Sequence, residues 1–484
     1  MKNNQHSIDF TQGSIPRHLI NFTIPLFLGN LLQTFYNTVD TIWVGKFVGP
    51  QALAAVSVSF PIIFILISLA TGITMATTVL VGQYKGAGDD EMVKRVINNT
   101  VILLVIASAV MTTVGIVLHK PILKLMNTPD EIMQAAAGYL NIIFAGLIFT
   151  FGYNGISAVL RGLGDSNTPL LFLFYTTIIN IILDPILIFG IGPAPKMGVS
   201  GAALATVISQ AISVFLAIRH LNRMSNIFTI KFKDIKYDSY LTKQIIKIGL
   251  PAGMQQTVVA LGATVVMSIV NTFGETIIAS FGAAKKIDSF SFMPSMSIGL
   301  ATSSLTAQNI GAGKFERVKE VARWSAIMAI TISVIVTAVV ISFPKALLSM
   351  FTSDPDILRE GAVILRILAI YYVPFALMWV FSGIIRGAGD TLITMLISIL
   401  SLWGIRLPLA LYLSKYTTLG SKGIWIAMVI STNITLIMNI IYFVKGRWRR
   451  SLAEQKSDDN TRFSQQELWK EYRFKLVKEG GDND

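Results

Sequence analysis

Two carboxylic acids stand inside apolar stretches of the first half of the chain, at Asp40 and Asp184. An ionisable group in the middle of a membrane span is costly, so each acid is a candidate for function. Asp40 shares its stretch with Gln33, Tyr36 and Asn37. The spacing of i, i+3, i+4 and i+7 predicts that these four side chains lie on one helix face.

The second acid has polar neighbours of its own. Asn180 precedes Asp184 by one helical turn, and Pro185 follows it directly. Because proline has no N–H, the carbonyl group of Ile181 loses its usual helical partner. Further polar residues of the first half that we expect to complete a cluster around the acids are Tyr153, Asn154 and Thr206.

Such a cluster could bind a coupling ion. No Lys or Arg lies in the interior of the apolar stretches of this half, so neither acid has an opposite charge there. Burial and a neighbouring acid both favour the protonated carboxyl group, which could load and release H⁺ near neutral pH. The alternative is a bound Na⁺ held by oxygens of Asp40, Asn180 and Asp184. For the amides and hydroxyls, a structural role in joining helices is the simpler alternative.

The second half of the chain lacks these acids. By the spacing of an internal repeat, Asp40 corresponds to Val265 or Val266, and Asp184 corresponds to Leu407. The unshared acids are therefore stronger functional candidates than the features that both halves have in common.

The second half carries charge of a different kind. Its ionisable residues within predicted spans are Lys285, Lys286, Asp288, Arg366 and Arg406. A structural interpretation pairs Lys285 with Asp288 and lets Arg366 extend to the membrane surface. The functional alternative is a cationic wall that attracts an acidic part of a substrate. Further residues that we expect to line a substrate path are Gln255 and Gln256.

Membrane-spanning helices must position all of these residues. Of the 484 residues, 53% are hydrophobic and only 14% are charged, against roughly 25% charged in a soluble domain. Apolar stretches of about 20 residues recur, each long enough to cross the ~30 Å hydrocarbon core as a helix. Their continuous apolar runs exclude a β-barrel. The predicted spans are residues 17–43, 53–82, 92–118, 132–160, 168–191, 199–220, 242–271, 276–308, 318–342, 358–385, 391–414 and 421–445.

An internal repeat divides these twelve spans into two halves of six. The sequence GQYKGAG at residues 82–88 reappears about 225 residues later as AQNIGAG at 307–313. RGLGD at 161–165 reappears as RGAGD at 386–390. Two related halves in a membrane protein predict a transporter with its substrate path between them.

The glycine-rich turns are not a nucleotide site. The chain has no Gly-x-x-x-x-Gly-Lys-Ser/Thr motif and no soluble domain to hold one. We expect the glycines to end helices, and the ion pairs Arg161–Asp165 and Arg386–Asp390 to tie the turns. Without a site for ATP, an ion gradient must drive transport, and one charge crossing 100 mV supplies about 2.3 kcal/mol.

The distribution of charge indicates orientation. The formal charge is +13, and the excess of Lys and Arg falls in loops on one side of the predicted spans. This bias predicts a multi-pass protein of the cytoplasmic membrane with both termini in the cytoplasm, and it argues against a nucleic-acid partner. The chain has no cysteine and only four histidines. We therefore expect a secondary active transporter without a cofactor rather than an enzyme.

We expect five regions along the chain. They are a cytoplasmic segment at 1–16, a six-helix bundle at 17–220, a cytoplasmic linker at 221–241, a second six-helix bundle at 242–445 and a polar cytoplasmic tail at 446–484. In the tail, Ser464 and Glu467 form a capping box that predicts a short amphipathic helix to about Lys478. The alternative for the tail is a solvated, partly disordered segment.

These residues together resemble the multidrug and toxic compound extrusion (MATE) transporters, and within them the DinF-type branch. The resemblance covers about residues 15–445. The features that carry it are the two six-helix halves, Pro25, the Gln33/Tyr36/Asn37/Asp40 face, GQYKGAG at 82–88, Asn154-Gly155 followed by RGLGD at 161–165, and Asn180-x-x-x-Asp184-Pro185.

The resemblance implies a V-shaped pair of bundles that exports amphipathic, often cationic compounds in exchange for H⁺ or Na⁺. It implies that Asp40 takes up a proton and that the first helix then bends near Pro25 and releases the substrate. From its missing N–H, we expect Pro185 to be a second helix-bending residue. The site residues that it implies are Tyr36, Asn37, Asp40, Asn154, Asn180, Asp184 and Thr206. Other branches place acids in the seventh and tenth helices, where this chain has none, and this favours H⁺ over Na⁺.

Two functions remain open from the sequence. The first is a proton-coupled or Na⁺-coupled antiporter that exports small organic compounds by alternating access, as a monomer among membrane lipids. The second is a flippase for a lipid-linked saccharide or another anionic amphiphile, in which the second-half cations would contact a pyrophosphate group. The two first-half acids favour the antiporter.

Overall fold

The computed structural model describes residues 8–224 and 237–449, and within these ranges the chain is helical and has no β-strand. The prediction of an all-α protein is confirmed. The helices of the first half are α1 (Ile15–Ile42), α2 (Pro50–Gly86), α3 (Asp90–Leu125), α4 (Asp130–Ala145), α5 (Leu147–Gly162), α6 (Asn167–Phe189) and α7 (Val199–Met224). A π-helical turn at Trp43–Val48 continues α1.

The second half has the same order of long helices. They are α8 (Ser239–Val270), α9 (Glu275–Gly311), α10 (Phe315–Ser342), α11 (Pro344–Leu348), α12 (Pro355–Ala369), α13 (Tyr372–Gly387), α14 (Thr391–Ile399), α15 (Leu407–Lys415) and α16 (Lys422–Val444). A π-helical turn at Leu400–Arg406 joins α14 to α15. The predicted tail helix near 464–478 and most of the predicted linker lie outside the described residues.

The helices occupy the positions of the twelve predicted spans. Eight of them are long and apolar enough to cross a membrane. Two further spans are formed by bent pairs, α4 with α5 at 49° and α12 with α13 at 46°. The remaining two predicted spans are α1 and α9. They carry more polar residues, and their mean hydropathy is too low to meet the same criterion for a membrane-crossing helix. Polar residues in these two helices are expected if they face other helices or a polar path rather than lipid.

Equivalent turns in the two halves have the same backbone conformation. Gly164 and Gly389 follow α5 and α13, and both have φ of +89°. Residues with a Cβ rarely adopt this left-handed conformation, so glycine is required at both turns. The repeat seen in the sequence is therefore a repeat of structure.

The two bundles meet at one end of the molecule. We name it the basic end, because the turns there carry Lys85, Arg161, Lys314 and Arg386.

Two symmetry-related glutamines join the bundles at the basic end. Gln83 on α2 donates its Nε2–H to the carbonyl oxygen of Gly387 at 2.9 Å. Gln308 on α9 donates its Nε2–H to the carbonyl oxygen of Gly162, also at 2.9 Å. Both glutamines are buried. The hydrogen bonds thus cross between bundles in both directions and close this end.

Two glycines let the backbones of α2 and α9 approach closely at the same place. A Cβ added to Gly86 would lie 1.9 Å from the carbonyl oxygen of Gln308, and one added to Gly311 would lie 1.8 Å from that of Gln83. We predicted that glycines here would end helices, and α2 and α9 do end at Gly86 and Gly311. The same two glycines also permit a helix crossing that any larger side chain would obstruct.

The predicted ion pairs within the turns are not formed. The Asp165 carboxylate caps α6, where it accepts hydrogen bonds from the backbone N–H of Asn167 and Thr168, each at 3.0 Å. The Arg386 guanidinium lies over the Trp379 ring at 4.7 Å from its centroid. The ion-pair prediction is therefore wrong for Asp165, because the free N–H groups at a helix start compete for a nearby carboxylate.

Candidate functional site

The structure brings the two acids of the first bundle together. Asp40 lies in the last turn of α1 and Asp184 in the last third of α6, and their side chains are within hydrogen-bonding reach of each other. Asp184 is fully buried, at 0% exposed. No Lys or Arg side chain of the described residues lies against either carboxyl group. Two carboxylates this close repel each other unless a proton or a cation lies between them.

Amide and hydroxyl groups surround the pair. The Nδ2–H of Asn180 donates to Oδ1 of Asp184 at 3.2 Å, one turn along α6. The hydroxyl group of Tyr36 donates to Oγ1 of Thr206 at 3.0 Å and so joins α1 to α7 beside the acids. The structure thus places Tyr36, Asn180 and Thr206 around Asp40 and Asp184.

Three buried oxygen atoms of this cluster have no hydrogen-bond donor. They are Oδ1 of Asp40, Oδ1 of Asn180 and Oδ2 of Asp184. A buried acceptor without a partner costs about 1–3 kcal/mol. A proton on one carboxyl group, or a Na⁺ shared among the oxygens, would supply the missing partner. The donor set is all oxygen, which suits either ion.

An aromatic cluster holds the ends of α1 and α6 together. The Trp43 ring lies 5.0 Å from that of Phe47 and 6.1 Å from that of Phe189, the last residue of α6. Trp43 and Phe47 belong to the π-helical turn that begins three residues after Asp40. π-Helical turns within helices often mark functional sites. The turn and its aromatic rings fix Asp40 opposite Asp184.

A tyrosine that the sequence did not single out belongs to the same cluster. Tyr139 on α4 lies close enough to interact electrostatically with both Asp40 and Asp184. It packs against the hydrophobic cluster that contains Val44 and Ala202. Spacing along the chain does not connect α4 with acids on α1 and α6. The available signal was depth in the membrane. Tyr139 lies near the start of its predicted span and Asp40 near the end of its own, and these two ends face the same side of the membrane.

The predicted polar face of α1 is divided between two environments. Tyr36 is buried, whereas Gln33 and Asn37 are exposed. The Nε2–H of Gln33 donates to Oδ1 of Asn37 at 3.3 Å. These two side chains are available to a ligand outside the bundle rather than to the acid pair itself.

Two predicted members form hydrogen bonds away from the acids. The Tyr153 hydroxyl donates to the carbonyl oxygen of Pro169 at 3.3 Å. The Nδ2–H of Asn154 donates to the carbonyl oxygen of Thr150 at 2.8 Å. The structure therefore does not bring Tyr153 and Asn154 into the acid cluster.

Both prolines that we expected to bend helices lie inside continuous helices. Pro25 is in the interior of α1 and Pro185 in the interior of α6. A proline removes one helical hydrogen bond and so lowers the cost of bending at that point. Their role in bending stays a prediction.

In the second bundle, Asp288 is bound by tyrosines. It is 4% exposed and accepts hydrogen bonds from the hydroxyl groups of Tyr372 and, at 3.5 Å, Tyr371. The ion pair that we predicted between Asp288 and Lys285 is not formed. The side chains lie on different sides of α9, since Asp288 faces α13 and Lys285 is exposed.

The lysines of α9 and Arg366 are all exposed. The ammonium group of Lys286 lies 5.3 Å from the centroid of the Phe351 ring. Arg366 is on α12, consistent with a side chain that extends away from the core. The structure does not gather these cations into one cluster with Asp288.

Arg406 is held inside the second bundle by hydroxyl groups. It ends the π-helical turn at Leu400–Arg406 and donates from Nε to Oγ of Ser431 at 2.7 Å. It also donates from Nη2 to Oγ1 of Thr432 at 3.2 Å. These bonds join the turn to α16.

The two glutamines of α8 differ. Gln255 donates to Oγ of Ser398 at 2.7 Å and to the carbonyl oxygen of Thr394 at 3.2 Å, so it joins α8 to α14. Gln256 is exposed. Of the two predicted lining residues, only Gln256 is available to a substrate.

A cavity of about 860 Å³ lies between α1 and α6, apart from the acids. Its lining is almost wholly apolar and includes Leu28, Leu31 and Phe35. These residues occupy a different face of α1 from Asp40. The chemistry of the acid pair therefore does not depend on this cavity.

Comparison with known proteins places both halves in one family. The model of the MatE family matches residues 25–186 and 251–412. "Probable multidrug resistance protein YpnP" of Bacillus subtilis is 34% identical over 442 residues, which are 91% of this chain and 97% of that protein. The "FAD transporter" of Shewanella oneidensis is 26% identical over 435 residues, 89% of this chain and 94% of that protein.

A solved structure agrees over the same range. It is described as the "Outward-facing conformation of a multidrug resistance MATE family transporter of the MOP superfamily" and aligns with a TM-score of 0.84 at 26% identity, covering 91% of this chain and 98% of that one. At this coverage, the match extends over both bundles. The chain belongs to the MatE family and is a membrane transporter, not an enzyme.

Proposed function

We propose that the protein is an antiporter that exports amphipathic, often cationic organic compounds across the cytoplasmic membrane in exchange for H⁺, with Na⁺ as the alternative ion. The observation that carries the proposal is the pair formed by the half-buried Asp40 and the fully buried Asp184. The pair has no cationic neighbour among the described residues and leaves oxygens without donors. The multidrug names of the relatives support export of organic compounds.

H⁺ is the preferred coupling ion because the two carboxyl groups lie close together without a cationic neighbour among the described residues. A proton on one of them removes their repulsion and can join them by a hydrogen bond. Na⁺ would instead separate the acids and bind their oxygens together with that of Asn180. The described residues offer both ions the same oxygens, so transport with each gradient alone distinguishes them.

Binding of the ion and of the substrate would then alternate. The bundles are closed at the basic end, which the positive-inside bias assigns to the cytoplasm, so the substrate path opens to the opposite side. A proton taken up by Asp40 removes the negative charge that attracts a cationic compound. It also changes the contact between α1 and α6, and Pro25 allows α1 to bend in response. Release outside and return of the protonated carrier complete the cycle.

A second candidate is transport of an anionic amphiphile. Lys285 and Arg366 are exposed, and one relative is named an FAD transporter. An anionic substrate would use these second-bundle cations, whereas a cationic one would use the acids of the first bundle. Assays with one cationic and one anionic fluorescent amphiphile in the same vesicles separate the two candidates.

The decisive variant is Asp40→Asn, which keeps the size of the side chain and removes the charge change. In proteoliposomes with ΔpH and ΔNa⁺ imposed separately, we expect gradient-driven accumulation to be lost. One coupled charge at 100 mV supports a roughly fiftyfold gradient. Exchange of labelled for unlabelled substrate at equilibrium, which needs no net ion movement, should persist and show that the variant is folded.

The matched control is Asp130→Asn, which makes the same chemical change at an exposed position at the start of α4. It should transport like the wild type. Unchanged gradient-driven accumulation by Asp40→Asn would refute the coupling role. Accumulation by the wild type with ΔNa⁺ alone would identify Na⁺ instead of H⁺.

A further inference from the structure

The segment before α1, residues 8–14, crosses from one bundle to the other at the basic end. We name it the strap. It continues directly into α1 of the first bundle, yet its backbone is hydrogen-bonded to the second bundle. The backbone N–H of Phe10 donates to Oε1 of Gln308 at 3.0 Å. The side chains of Asn309 and Arg317 both donate to the carbonyl oxygen of Phe10, each at 3.2 Å.

Two further hydrogen bonds hold the strap after Phe10. Lys314 donates its ammonium group to the carbonyl oxygen of Thr11 at 2.9 Å. Arg317 donates to the carbonyl oxygen of Gly13 at 3.1 Å. The donors in these five bonds other than the Phe10 N–H come from the second bundle, so the strap is fixed to α9 and α10.

The Phe10 side chain fills the space between the bundles. It is fully buried, at 0% exposed, and meets the Phe22 ring of α1 edge to face at 5.1 Å. The same cluster contains Ala301 and Leu305 of α9 and Val321 of α10. One aromatic ring is therefore shared between the first helix of one bundle and two helices of the other.

The strap also covers the turn of the first bundle that Gln308 binds. A Cβ added to Gly164 would lie 2.4 Å from the carbonyl oxygen of Ile8 and 3.3 Å from Cζ of Phe10. Gln308 thus bonds the strap through its oxygen and Gly162 through its nitrogen. The strap and the contact between bundles share one side chain.

This geometry creates a mechanical conflict when the basic end opens. If the bundles separate, the strap must either leave the second bundle, with loss of five hydrogen bonds and the buried ring, or stay and pull on α1. The only proline inside α1 is Pro25, fifteen residues after Phe10. Strap release and bending of α1 are therefore alternative responses to the same movement.

We propose that the strap is the latch of the gate at the basic end and that Phe10 is its positioning residue. The latch holds this end closed while the opposite end is open, and its release is required for the substrate to enter from the basic side. The proposal rests on the alternating access of the proposed function, but it does not depend on which ion or substrate is used.

The test measures gate opening directly. The chain has no cysteine, so spin labels can be attached to Lys94→Cys on α3 and Glu320→Cys on α10, both exposed near the basic end of different bundles. Double electron–electron resonance in lipid nanodiscs then reports the distance between the bundles. For Phe10→Ala we expect the ratio of the long-distance to the short-distance population to rise roughly tenfold, as the closed state loses a buried contact that the open state lacks.

The matched control is Gln12→Ala, which changes an exposed side chain of the same strap. It should leave the distances unchanged. Arg317→Ala removes two of the five bonds without touching the hydrophobic cluster, and it should shift the populations in the same direction by less. If Phe10→Ala fails to fold, Arg317→Ala alone tests the latch.

Unchanged distances in Arg317→Ala and in folded Phe10→Ala would overturn the latch, as would an equal shift in Gln12→Ala. A different measurement tests the proposal of ion coupling. Transport by Asp40→Asn tests the ion, whereas the distance between the bundles tests the latch. Failure of one therefore leaves the other standing.

Discussion

The two bundles treat their buried acids in opposite ways. In the first bundle, Asp40 and Asp184 lie against each other, and each leaves an oxygen without a donor. In the second bundle, both oxygens of Asp288 accept hydrogen bonds, from Tyr371 and Tyr372. A carboxyl group whose oxygens lack hydrogen-bond donors can bind a proton or a cation. A carboxyl group whose oxygens already accept hydrogen bonds from the protein is better suited to a structural role. This difference supports the proposal that ion coupling belongs to the first bundle, and we propose a structural role for Asp288.

The bundles agree, by contrast, in how they contact each other. Gln83 and Gln308 make equivalent hydrogen bonds at the same length, and Gly86 and Gly311 permit equivalent close approaches. The shared parts form the closed end of the transporter. The two bundles therefore differ in the surroundings of their acids, although their contacts with each other are alike.

After Asp40→Asn, the largest effect that tests this contrast is expected for Asp184→Asn. The substitution removes one acid of the pair and replaces the hydrogen bond from Asn180 to a charged group, which is worth about 1.5–3 kcal/mol. We expect gradient-driven export to fall roughly tenfold or more, since 1.4 kcal/mol is one factor of ten. Initial rates in proteoliposomes measure this, with Asp130→Asn as control. Wild-type rates would break the assignment of coupling to the acid pair.

We expect a smaller effect, equal for the two bundles, when a substitution obstructs the crossing of α2 and α9. Gly86→Ala and Gly311→Ala each place a methyl group against a backbone carbonyl of the other bundle. We expect each to destabilise the closed basic end by about 1–3 kcal/mol, seen as a longer distance between spin labels. Gly282→Ala in α9 is the control, because nothing lies within 4 Å of its added Cβ. Strongly unequal effects of the first two variants would show that the frame is not symmetric.

The smallest effect is expected for Asp288→Asn. The amide oxygen still accepts a hydrogen bond from a tyrosine, so the loss is about 1 kcal/mol of stability, measured as a lower temperature of thermal denaturation. Gradient-driven export by the folded protein should stay within about twofold of the wild type. Loss of export without loss of stability would move ion coupling into the second bundle and overturn the comparison.

Much of the architecture could be predicted from the sequence. Apolar runs predicted the positions of the twelve helices, and the repeated glycine motifs predicted two related bundles. The spacing of Asn180 and Asp184 placed the two residues one helical turn apart, and a hydrogen bond joins them in the structure. These features depend on residues near each other along the chain, where helical periodicity determines which side chains meet.

Predictions that extended the same local reasoning to polar partners were less reliable. Lys285 and Asp288 have the spacing of an ion pair, but Asp288 is bound by Tyr372, more than eighty residues away. Arg161 and Asp165 were expected to pair, but the start of α6 takes the carboxylate. A side chain chooses among all its neighbours in space, and spacing reveals only those on its own helix.

By itself, the sequence determined the helices, their division into two halves and the presence of Asp40 and Asp184 where the other half has apolar residues. These follow from hydrophobic length, internal repetition and the cost of placing a charge in lipid. Only the tertiary structure decided that Asp40 opposes Asp184, that Tyr139 joins them and that the strap at 8–14 binds the other bundle. Those contacts join distant parts of the chain, and they are fixed by how the helices pack.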